Sequence, residues 1–176
     1  SLGADFAELF VERSLTNAIS TLSSQVQSVE SGIDFGIGVR LVFGSKVLYG
    51  YTNKTEAEEL KRIMGELAAM DLRDPRVSLQ AFDYSAPVEH HPAHRILSAD
   101  ADVDSKVAYL MAADAAARAS SNLISQTRGA CRQKEQRIEI FNSEGLHTTD
   151  ARNYVRATLT AIASDGQDQA TGMWSD

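Results

Sequence analysis

The 176-residue sequence contains a single cysteine, Cys131, so no disulfide can close within it, and a reducing compartment suits it best. Prolines number only three, and no long polar tract interrupts the chain, which argues against extensive disorder. An excess of positive charge is also missing. The 17 Lys and Arg are scattered among 24 Asp and Glu, for a net charge of −7. A nucleic-acid surface needs clustered cations to displace counterions from phosphates, so no nucleic-acid partner is expected. No apolar run reaches membrane-spanning length, and the longest apolar-rich stretch, 107–119, is broken by Asp114 and Arg118. No signal-peptide pattern is present. The expectation is a cytoplasmic protein with no membrane partner.

Apolar residues supply 43% of the chain, enough for a packed core. Residues 5–13 alternate, with Phe6, Glu8, Phe10 and Glu12 on one side and Ala7, Leu9, Val11 and Arg13 on the other. Period two predicts a strand. Residues 15–22 and 25–31 read as two further strands around a Ser23-Ser24 turn. The most apolar strand spans 35–43 and puts Ile37, Val39, Leu41 and Phe43 on one face. Gly44-Ser45 then marks a hairpin into 46–52.

Thr55-Glu56-Ala57-Glu58 has the form of a capping box, and Leu60, Ile63, Met64 and Leu67 follow at helical spacing. A helix is expected over about 55–70. Residues 71–101 are irregular, punctuated by Asp74-Pro75, Ala86-Pro87 and His91-Pro92, with a short strand near 79–82. A second, alanine-rich helix spans 103–121, with Val103, Val107, Leu110 and Met111 as its apolar stripe. Strand patterns return at 124–131, 136–141, 154–163 and 168–174. Asn142-Ser143-Glu144-Gly145 and Asp165-Gly166 supply turns. The whole reads as one α+β domain: a mainly antiparallel β-sheet with two principal helices packed on it. Lobes 1–70 and 100–176 would be joined by the irregular 71–101.

Motifs that specify a reaction are scarce. Glu89-His90-His91-Pro92-Ala93-His94 offers metal-ligating side chains. His90 and His94 have the separation of a zinc-binding helix, but Pro92 between them prevents that helix. The bland reading, a solvated loop, is preferred. Gly32, Gly36 and Gly38 lack the third glycine and the following helix of a dinucleotide loop, so they read as relief in a twisted strand. Cys131 falls in a strand pattern and reads as packing. His147, just after a turn, reads as a surface residue. Asp150 and Arg152, at i and i+2 of a strand, share a face with Arg156. That face reads as solvent-facing, with a ligand- or partner-facing edge as the alternative. No catalytic residue is assigned.

Several segments taken in order carry a resemblance. These are Ala4-Asp5-Phe6-Ala7-Glu8-Leu9-Phe10; Ser31-Gly32 through Gly36-Ile37-Gly38-Val39-Arg40; Tyr49-Gly50-Tyr51-Thr52-Asn53; and Asn142-Ser143-Glu144-Gly145, Asp150-Ala151-Arg152, Val155-Arg156 and Asp165-Gly166. In order and spacing the chain resembles the N-terminal domain of the TldD/PmbA family, long labelled modulators of DNA gyrase. The Gly-x-Gly-Val-Arg strand and the Asp-x-Arg step are closer to the TldD branch. The resemblance implies a two-domain cytoplasmic parent that forms homodimers or heterodimers. It also implies a zinc-dependent peptidase acting on unfolded or flexible peptides. The family's metal is held by His-Glu-x-x-x-His in a C-terminal domain, and zinc-activated water attacks the peptide carbonyl there. No histidine in this chain is followed by Glu, so no metal or catalytic residue carries over and no cofactor is expected here. The chain starts at Ser1 and stops at Asp176 just after a strand pattern, so we expect a piece of that longer protein. Its role would be a wall of the peptide cavity and part of the assembly, beside its own C-terminal domain. Arg40, Asp150 and Arg152 are the candidates for peptide or partner contact. The competing expectations are a PmbA-like non-catalytic binding module and a standalone ligand-binding domain.

Overall fold

A computed structural model describes residues 3–71, 88–89 and 102–176. The element order is β1 (Phe6–Leu22), β2 (Gln25–Phe43), β3 (Lys46–Thr52), α1 (Ala57–Ala69), β4 (Val88–Glu89), α2 (Val103–Ser120), β5 (Ile124–Asn142), β6 (His147–Ser164) and β7 (Gln169–Ser175). The strands form a seven-stranded sheet in the order β3-β2-β1-β5-β6-β4, with β7 also on β6. The expected α+β class is therefore observed. The hairpins β2–β3 and β6–β7 are antiparallel, and the short β4 pairs with β6 in parallel.

The chain makes two compact units. The first combines Ser1–Ser14, Asp34–Pro92 and Gln136–Arg152; the second combines Leu15–Ile33, Ala93–Glu135 and Asn153–Asp176. In the first, Val39, Leu41 and Phe43 of β2 pack with Ala4 and with Ile63 and Leu67 of α1. The alternation read from β2 and the helical stripe of α1 thus meet in one core. Gly50 on β3 lets α1 come close: a Cβ there would stand 2.6 Å from Ile63 Cγ2. In the second unit, Ile19, Leu110 and Cys131 form the core, with Val103 and Val107 against them. Met111, expected in that stripe, is only half-buried, while Lys106 and Asp114 are buried on α2 instead.

Several strand boundaries differ from expectation. The patterns at 5–13 and 15–22 are one strand, as are 25–31 with 35–43 and 124–131 with 136–141. Ser14, Gln133 and Glu135 fall between the expected strands and are buried within the continuous ones. The Ser23-Ser24 turn is observed, with both residues at positive φ (47° and 66°), as a two-residue hairpin of the primed type requires. The capping box does not form. The N-cap of α1 is Glu56 and no side chain caps it. Glu58 turns forward to Lys61 at 2.8 Å rather than back. In α2, by contrast, Asp102 caps the helix by accepting from Ser105 N at 2.7 Å. The strand expected near 79–82 lies outside the described residues.

Candidate functional site

Arg40 stands on β2 opposite Tyr49 of β3. Alternation turns it away from the Val39–Leu41 core and onto the strand face that carries Gly36 and Gly38. The two glycines have a steric role there. A Cβ on Gly36 would meet Tyr51 Cε2 at 2.3 Å, and one on Gly38 would meet Tyr49 Oη at 3.0 Å. The tyrosine rings lie across the space that side chains would fill. Tyr51 Oη donates to the Phe35 carbonyl at 3.4 Å. Arg40 holds Glu8 Oε1 at 3.1 Å, and its guanidinium carbon lies 5.4 Å from the centroid of the Phe6 ring. Its Nε is buried without an acceptor. An open cleft of about 240 Å³ follows, lined by Phe10, Glu12, Gly36, Gly38, Tyr49 and Tyr51 among others. The cleft is lined largely by aromatic rings, and Arg40 nearby on β2 is already ion-paired with Glu8.

Asp150 and Arg152 share β6. Arg152 Nε donates to Asp150 Oδ2 at 2.7 Å, and the arginine side chain is 51% exposed against 10% for the aspartate. The carboxylate therefore anchors a guanidinium that still reaches solvent. Asp150, expected on a solvent-facing stripe, is buried, whereas Arg156 is exposed. Beside Asp150 lies a cleft of about 340 Å³ bounded by Val11, Arg13, Arg137, Glu139 and Thr149.

His147 is not the surface residue expected. It stacks on Phe141 with centroids 4.2 Å apart and an interplanar angle of 18°. Its Nε2 lies 2.6 Å from Glu139 Oε1, and its side chain is 14% exposed. The signal for this pair was present in the sequence. The Asn142–Gly145 turn folds β6 back along β5, which brings residues flanking the turn together.

The three candidate residues do not converge. Arg40 is on β2 and the Asp150–Arg152 pair on β6, with β1 and β5 between them in the sheet order. They form separate ion pairs, one with Glu8 and one internal to β6. His90, His91 and His94 lie outside the described residues.

Residues 7–70 match the model of the PmbA/TldA metallopeptidase domain 1. Residues 96–176 match that of the PmbA/TldA metallopeptidase central domain. The chain belongs to the PmbA/TldD family. Solved structures with the same fold include a proposed modulator of a DNA gyrase from Thermotoga maritima, at 14% identity and a TM-score of 0.74 over 97% of this chain and 39% of that one. A second proposed modulator of DNA gyrase, from Bacteroides thetaiotaomicron, gives 14% identity and a TM-score of 0.73 over 98% of this chain and 40% of that one. TldE from Thermococcus kodakarensis gives 17% identity and a TM-score of 0.61, with 98% and 40% covered. This PmbA/TldD chain thus spans about two fifths of the length of the structures it resembles. No curated protein sequence matches it. The family description implies a metal, but among the described residues no group of three or more His, Cys, Asp or Glu could hold one. The donors described here do not fit a metal centre. Among the described residues, no helix is long and apolar enough to cross a membrane.

Proposed function

We propose that this chain is the front, non-catalytic part of a TldD-like metallopeptidase, forming one wall of the peptide cavity and part of the surface on which subunits assemble. The observation that carries the reading is the succession of the family's first and central domains along one chain, at 7–70 and 96–176. The TldD branch is favoured by Gly36-Ile37-Gly38-Val39-Arg40 and by Asp150-Ala151-Arg152. Bond cleavage belongs to a C-terminal half carrying the metal, in a cytoplasmic homodimer or heterodimer.

The sheet supplies what a cavity wall needs. β7 is exposed along its whole length and pairs with β6 on one side. An extended peptide can add to such an edge through main-chain hydrogen bonds, with alternate side chains held in pockets. Arg152, oriented by Asp150, and Arg40, beside its aromatic row, are the residues assigned to contact peptide or partner. Guanidinium forks suit peptide carboxylates.

The test is peptide turnover. The full-length protein with zinc should cleave a flexible, unstructured peptide and lose that activity on chelation. Residues 1–176 alone should not cleave it. Turnover by residues 1–176 would refute the non-catalytic assignment. A full-length protein that binds peptide but never cleaves it would place the chain with the PmbA-like binding modules.

A further inference from the structure

The second unit contains a cleft of about 500 Å³ between α2 and β6, lined by Ser105, Lys106, Tyr109, Cys131, Val155 and Ala157. That volume lies in the range of small-molecule sites, roughly 300–1,000 Å³. Most of its lining is apolar or aromatic. Tyr109 is half-exposed at one wall, its ring 6.4 Å from that of Trp174.

Lys106 is the residue that calls for an explanation. It is only 9% exposed. An ammonium removed from water is expensive unless an opposite charge meets it. Its Nζ donates to the side-chain oxygen of Asn17 at 3.2 Å, a neutral amide. Asp102, one turn earlier on the same helix, spends its carboxylate on the Ser105 amide and influences Lys106 only at longer range. Among the described residues no carboxylate forms an ion pair with Lys106. An ammonium carries three donors, and Asn17 takes one. The neighbouring Cys131 side chain, packed against Ile19 and Leu110, supplies no negative charge to balance it.

We propose that this cleft binds a small monocarboxylic acid with a short alkyl or aryl body. The carboxylate takes Lys106 Nζ and the body lies against Tyr109, Val155 and Ala157. A charge-assisted hydrogen bond to a buried ammonium is stronger than a neutral one, so the acid is preferred to its amide. Asp176 also lines the cleft, which disfavours a second negative charge on the ligand. The cleft adjoins the end of β7 through Trp174 and Asp176, but its reading as an acid site does not depend on the peptidase reading.

Calorimetry on the full-length protein tests this with 3-phenylpropionate and its neutral amide. The acid should bind about tenfold more tightly than the amide. Lys106→Met keeps the apolar stem and removes the charge, and should abolish that preference. Val155→Trp alters a residue that is already 55% exposed and should block both ligands while leaving the fold intact. Three results would each overturn the proposal: no binding of the acid at millimolar concentration, equal affinity for acid and amide, or unchanged acid binding in Val155→Trp. If Lys106→Met does not fold, the acid–amide comparison and Val155→Trp decide alone.

Discussion

Gly50 on β3 and Ile63 on α1 approach so closely that a Cβ on the glycine would lie 2.6 Å from Ile63 Cγ2 and 3.1 Å from Leu67 Cδ1. Ile63 and Leu67 are both buried, so neither can swing into solvent. Gly50→Ala should therefore force α1 away from the sheet, with a loss of about 1–3 kcal/mol as in other overpacked cores. Urea denaturation checks this. Gly36→Ala should be milder, although its Cβ would come within 2.3 Å of Tyr51, because that ring is 65% exposed and free to turn aside.

The carboxylate of Asp114 on α2 accepts from three side chains. Ser24 Oγ donates to it at 2.5 Å, Arg118 Nε at 3.3 Å, and the Thr127 hydroxyl also donates. Burial pushes its pKa up, but the two hydroxyls and the guanidinium outweigh burial and hold it below the usual aspartate range. A depressed carboxyl contributes stability that is fully present above its unfolded value, about 3.9, and is lost as pH falls through the lower folded value. Unfolding midpoints should accordingly drop below about pH 4. Asp114→Asn should cost about 1–3 kcal/mol at neutral pH and flatten that acid limb. Urea titrations of both proteins between neutral and acid pH would show it.

Cys131 should behave as a packing residue. Burial pushes its thiol pKa up, and the Lys106 charge pulls it only partly back. A neutral thiol that is only 5% exposed reacts slowly, even at the edge of a cleft. Alkylation by iodoacetamide at neutral pH should be about 100-fold slower in the native protein than in urea, a difference followed by mass spectrometry. Comparable rates in the two states would contradict the packing.

Arg152 carries the clearest prediction from the proposed function. Its side chain is half-exposed, so Arg152→Ala should change stability by only about 1 kcal/mol or less. In the full-length protein it should nevertheless lower kcat/KM for peptide by about tenfold, equivalent to one charge-assisted hydrogen bond. Arg152→Lys should recover little, because an ammonium lacks the planar fork. Unaltered kcat/KM in Arg152→Ala would remove this residue from the cavity.

Legibility in the sequence followed the strength of periodicity. The core face of β2, the stripe of α1 and the glycine turns were readable because alternation and helical spacing leave a direct residue-level imprint. Strand continuity was not. Ser14, Gln133 and Glu135 fall between the alternating patterns, and β1 and β5 run on through them as neighbours in the sheet with all three buried. Glu139 and His147 likewise became partners through the β5–β6 turn, which brings residues eight apart into contact.

The sequence by itself determined the α+β class, the two helices, the turns and the family, because each rests on local pattern or on the order of short segments. Only the tertiary structure decided that Arg40 and the Asp150–Arg152 pair form separate ion pairs on different strands. It also decided that Gly36 and Gly38 make room for Tyr51 and Tyr49, and that Lys106 is buried against a neutral amide. Strand order, register and helix docking set those distances, and they arise from contacts between residues far apart in the chain.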